Sequence, residues 1–110
     1  MTVGEVYWVD LPAGRGRAQA GRRPAIILQR LTSLPTILTV PLTSKLDSLR
    51  FPGTILIEKD KRNGLGQNSV ALVFQFTAVD RRSIGRRLGA ASERVIESIW
   101  LSFDEITGRL

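Results

Sequence analysis

The chain has 110 residues, 43% hydrophobic and 24% charged, which fits one compact soluble domain and excludes disordered and collagen-like classes. It holds no cysteine and no histidine, so disulfides, thiol chemistry, the usual zinc ligands and the commonest general base are all removed. The formal net charge is +6; the segment from Glu93 onward carries −2, so residues 1–92 carry +8 and imply an anionic partner, nucleic acid before acidic protein or membrane.

The opening stretch "MTVGEVYWVDLP" carries Glu5 and Asp10 with no basic leader region, and no apolar run approaches the ~20 residues that span a bilayer. A soluble, cytoplasmic protein is expected. Within it, "GEVYWVDL" (4–11) alternates β-branched and aromatic residues and reads as a first strand. Residues 14–23, "GRGRAQAGRR", form a loop of four arginines spaced by small residues. The apolar run "PAIILQR" (24–30) is too short for a helix, and Pro24 is expected at the first position of a second strand.

A third strand, "TILTVPLT" (36–43), must end or bulge at Pro41, and "GTILIE" (53–58) is a fourth, with Ile55 and Ile57 on one face. The charged stretch "KDKRNGLGQNS" contains Asn-Gly and reads as a hairpin loop longer than two residues. The fifth strand, "VALVFQFTAV" (70–79), is long enough to bend into two; "IGRRLGAA" is a possible last edge strand, its nearby arginines blunting edge-to-edge pairing. One helix is clear, with Ser92 as N-cap, Glu93 in the first turn, apolar residues from Val95 to Ile106 at i, i+3, i+4 spacing, and Gly108 closing it. The fold class is mainly β with a C-terminal α-helix, a small bent antiparallel barrel with the helix packed on it, in a single domain over 1–110.

Between Asp10 and Asp47 no acid occurs, while Arg15, Arg17, Arg22, Arg23, Arg30 and Lys45 do. Arginine forks hold two phosphate oxygens at once, so the segment reads as a phosphate-tracking surface. Taken alone, Arg23 reads first as a strand-flanking cation and Thr43 as a turn-forming hydroxyl. Tyr7, Trp8, Phe51, Phe74 and Phe76 are candidate stacking platforms for unpaired bases; of these Trp8 and Phe76 are assigned to the core and Phe74 is the one expected to serve, while Trp100 and Phe103 belong to the helix seam. Gln75 either reads a base edge or meets solvent. Leu46, Leu49, Phe51, Ile99 and Leu101 are expected as excess apolar surface, coverable by a twofold dimer.

"GEVYWVDLP", "Q-x-G-x-R-P" before an apolar strand, "TVPLTSK" and "SVALVFQFTAVDRR" occur in this order over almost the whole chain, which thereby resembles the MazF/PemK toxin endoribonucleases. The resemblance implies an SH3-like barrel of the MazF/PemK/CcdB type and a cytoplasmic homodimer that cleaves single-stranded mRNA without cofactor or metal. It also implies neutralisation by an acidic, MazE-like antitoxin, with DNA binding only by the toxin–antitoxin complex. By the same match Arg23 and Thr43 are catalytic and Gln19 is the family's loop glutamine; the residues expected to bind RNA are Arg15, Arg17, Gln19, Arg22, Phe74 and Gln75. The chain departs from the family pattern at Ala18, where an acid is usual, and at Phe74, where a carboxylate often precedes the glutamine. Two alternatives are a CcdB-like DNA gyrase poison, against which the ending "ITGRL" in place of Trp-Gly-Ile speaks, and a non-cleaving relative that binds RNA or antitoxin.

Overall fold

The structure is a computed structural model describing residues 1–11 and 21–110. Its strands are β1 (Glu5–Leu11), β2 (Gly21–Ile27), β3 (Thr36–Thr43), β4 (Thr54–Ile57), β5 (Ser69–Leu72), β6 (Thr77–Asp80) and β7 (Ile84–Ala90), followed by one helix, α1 (Glu93–Ile106). All strand pairs are antiparallel, and the sheet runs β4-β5-β3-β2-β1-β7 with β6 also on β3. The sheet is bent and not closed, so the expected barrel is an open one.

Strand β3 is the spine. Its first half pairs β6 from Thr36 to Thr39, its middle pairs β2 up to Pro41, and its end pairs β5 at Leu42 and Thr43. The run 70–79 does break in two: Leu42 faces Ala71 but Thr39 faces Thr77, so three extra residues are extruded between β5 and β6. These are the 3-10 turn Val73–Gln75, which places Phe74 and Gln75 on a turn rather than in a strand.

Strand β1 serves two cores because successive side chains point to opposite faces. Val6 joins the larger cluster, with Ile26, Val40, Leu42, Val73 and Ile99, against which Phe76, Trp100 and Phe103 pack. Val9 and Leu11 join Ala25 and Val79 on the other face, with Tyr7 against them. Trp8 belongs to neither cluster and is half-buried, which corrects its assignment to the core. Ile99 is fully buried beneath α1, not surplus surface, whereas Leu46, Leu49, Phe51 and Leu101 are exposed as expected.

The helix is capped as its sequence requires. The Ser92 hydroxyl accepts from the Val95 N–H at 3.3 Å, and Gly108, with φ of 78°, turns the chain after Thr107. Aromatic contacts fix the helix on the sheet: the Phe76 and Phe103 rings lie 4.7 Å apart, centroid to centroid. At the other end, Glu5 receives hydrogen bonds from Arg87 of β7 and from the Thr2 N–H. Burial alone would raise the Glu5 pKa, but these donors and the N-terminal ammonium outweigh it and hold the carboxyl below its ordinary value.

Candidate active site

Two prolines shape the site. Pro24 pairs with Trp8 in the middle of β2, not at the strand's first position, because β2 begins at Gly21. At Pro24 the β3 neighbour has already left: the β2–β3 ladder ends at Ala25 facing Pro41. A strand with one neighbour tolerates a residue that lacks an N–H, which explains why proline is accepted there. Beyond this point β3 turns to β5 while Arg22 and Arg23 stay paired with β1, opposite Asp10 and Val9. Continued two positions, the lost register would have set Arg23 against Thr43. Instead the strands part, and Arg22, Arg23 and Thr43 line the cleft between them, of about 300 Å³.

The third wall is the loop after β4. Its anchor is Asn63, which is 2% exposed. The Asn63 Nδ2 group donates to the Glu58 carbonyl at 2.9 Å, and Oδ1 accepts from the Leu65 and Asp60 N–H groups at 3.0 and 3.1 Å. Gly64 then takes a φ of 69° where a Cβ would stand 2.0 Å from the Leu88 carbonyl oxygen, so only glycine allows the loop to lie on β7. The Ala90 N–H closes the contact by donating to the Arg62 carbonyl at 2.9 Å. The Asn-Gly pair thus marks a hairpin, and the loop it shapes carries Leu65, Gln67 and Ser69 to the cleft.

Thr43 is 3% exposed, and its Oγ1 accepts the Lys45 N–H at 3.2 Å. That contact uses a lone pair and leaves the hydroxyl proton to donate. Arg23 is half-buried inside β2, paired with Val9 of β1. Arg22 faces Asp10 across the strands, yet its guanidinium lies over the Trp8 ring, 5.3 Å from the centroid. Among the described residues no carboxylate lines the cleft, so its field is cationic.

Of the expected site residues, Arg22, Arg23 and Thr43 therefore come together. Phe74 and Gln75 line a second cleft of about 300 Å³ with Lys45, Arg50 and Phe51, where the Phe51 and Phe74 rings are 5.8 Å apart. The two clefts flank the Thr43–Lys45 segment. Arg15, Arg17 and Gln19 lie outside the described residues. Sequence reasoning missed Leu65 and Gln67 and set Trp8 in the core. Trp8 was legible in principle, since it shares a strand face with the charged Asp10.

The fold is an open antiparallel sheet with one terminal helix, and it carries a cleft where Arg22, Arg23 and Thr43 meet and which no carboxylate among the described residues lines. The chain belongs to the PemK-like, MazF-like toxins of type II toxin–antitoxin systems, whose family model matches residues 2–106. Endoribonuclease MazF of Staphylococcus saprophyticus is 29% identical over 102 residues, which are 90% of this chain and 84% of that protein. The fold matches MazF of Deinococcus radiodurans with a TM-score of 0.83 at 21% identity, over 98% of this chain and 96% of that one. It also matches a mycobacterial endoribonuclease solved with its cognate antitoxin, with a TM-score of 0.74 at 17% identity over 98% and 95% of the two chains.

Proposed function

We propose that this chain is the toxin of a toxin–antitoxin pair, a metal-independent endoribonuclease that cuts single-stranded mRNA in the cytoplasm and so stops translation. The observation that carries the proposal is the meeting of Arg23 and Thr43 in one cleft that no carboxylate lines. Such a site is suited to a phosphate. RNA supplies its own nucleophile: the 2′-oxygen attacks the adjacent phosphorus, the bond to the 5′-oxygen breaks, and a 2′,3′-cyclic phosphate and a 5′-OH result. The role of the protein is to align this displacement and to stabilise the charge that grows on the non-bridging oxygens.

Arg23 performs the second task with its planar fork, held within β2 against β1 so that little reorganisation is needed in the transition state. Thr43, fixed by the Lys45 amide, donates its hydroxyl to a non-bridging oxygen. Arg23 is assigned mainly to charge stabilisation, and no residue is assigned as the general base. Arg22, Phe74 and Gln75, with Arg15, Arg17 and Gln19, are assigned to binding the strand on either side of the scissile phosphate.

Exposed Leu46, Leu49, Phe51 and Leu101 support assembly as a homodimer, and Ile106 of α1 approaches Gly53, which joins the helix end to the Phe51–Phe74 patch. The +8 carried by residues 1–92 suits neutralisation by an acidic antitoxin segment that mimics the phosphate chain. The test is a long single-stranded RNA incubated with purified protein in EDTA. Cleavage with 2′,3′-cyclic phosphate and 5′-OH ends is expected; a divalent-ion requirement or 5′-phosphate ends would falsify the mechanism.

A further inference from the structure

Trp8 is a large aromatic side chain placed where the fold does not use it. It lies outside both apolar clusters, is half-buried, and lines the cleft. Its partner on β2 is Pro24, beside Arg23. The side chain over its ring is Arg22, at 5.3 Å, whose guanidinium passes over Trp8 although Asp10 faces it on the neighbouring strand. A cation over an indole ring is a weak, readily exchanged contact at a partly exposed site.

Resting on the ribonuclease reading above, we propose that Trp8 is the base-stacking platform of the cleft and that Arg22 caps it in the free protein. When a single strand enters, a base takes the ring and Arg22 moves to a phosphate, where its fork makes stronger, charge-assisted bonds. The exchange costs the protein one cation–π contact and returns two interactions with the RNA. Because Trp8 faces Pro24 and Arg23 precedes it, the stacked base belongs to a nucleotide bordering the scissile phosphate. Stacking accepts any base, so selection there falls to Gln67, an exposed polar side chain of the cleft whose amide can meet a base edge.

The test uses a fluorescein-labelled pool of random-sequence 2′-O-methyl RNA, which lacks the attacking hydroxyl, and native RNA of the same pool for cleavage. Binding is followed by anisotropy and Trp8 emission in a Trp100→Phe protein, or as the difference between wild type and Trp8→Phe. Saturable quenching of Trp8 that tracks the anisotropy is expected. Trp8→Leu should raise KM for native RNA by roughly tenfold or more, with kcat and melting temperature little changed and Trp8→Phe restoring part of the loss. Binding without a change in Trp8 emission, or a KM unaltered in Trp8→Leu, overturns the platform while leaving the ribonuclease reading intact. Failure of the wild-type protein both to bind and to cut overturns the two together.

Discussion

Replacing Asn63 by alanine tests how the cleft wall is held. The substitution strips partners from three backbone groups: the Glu58 carbonyl and the Asp60 and Leu65 N–H groups. Leu65 is 8% exposed, so water does not reach its amide easily. An orphaned buried donor costs about 1–3 kcal/mol, and the two groups nearer solvent about 0.5–1.5 kcal/mol each, giving roughly 2–6 kcal/mol in all. That is a large share of the 5–15 kcal/mol or so by which single domains are stable. At roughly 4–8 °C per kcal/mol, the melting temperature should fall by at least about 8 °C. Urea unfolding is the assay, with Asn68→Ala as control, since exposed Asn68 makes one hydrogen bond, from the Lys59 N–H, in the same loop. Asn68→Ala should cost less than about 1 kcal/mol. Equal losses in the two variants would refute the claim that Asn63 is the loop's buried anchor.

The remaining predictions concern pH and assembly. Glu5→Gln should destabilise the protein at pH 7, because the native carboxylate is held below its ordinary value by the donors around it. A depressed carboxylate stabilises the fold above its unfolded pKa of 4.5 and loses that contribution as pH falls through the lower native value, so wild type and variant should converge in acid; a gap in urea midpoint unchanged between pH 7 and pH 3 would contradict this. Leu101, 53% exposed on α1, is offered to the dimer contact, and Leu101→Lys should leave the monomer folded but raise the dimer dissociation constant at least about tenfold, the effect of ~1.4 kcal/mol. Sedimentation of the wild-type protein as a monomer at micromolar concentration would remove the dimer itself.

The sequence made the element order legible because its local signals agree with the fold. Ser92 and Gly108 bracket the helix, Pro41 marks the end of the β2–β3 ladder, and Asn63-Gly64 marks the hairpin loop. Its errors arose where long-range pairing decides. Pro24 is tolerated inside β2 because the β2–β3 ladder stops one residue short of it, at Ala25, which no local rule reveals. Phe74 and Gln75 sit on a turn because β3 cannot pair β5 and β6 in a single register. Ile99 is buried since that side of α1 meets the sheet, and the i, i+3, i+4 pattern alone does not rank its members by depth. At the site, the residue types that bind phosphate were readable, but the convergence of β1, β2, β3 and the loop after β4 was not.

Single-turnover cleavage of one RNA by wild type, Arg23→Ala, Arg23→Lys and Thr43→Ala tests most directly whether the cleft between β2 and β3 is the catalytic centre. Arg23→Ala should abolish cutting with the fold intact, Arg23→Lys should also be poor because a point charge does not replace the fork, and Thr43→Ala should lose at least about tenfold, or ~1.4 kcal/mol of transition-state stabilisation. A near-normal rate in folded Arg23→Ala would place the chemistry elsewhere in the molecule.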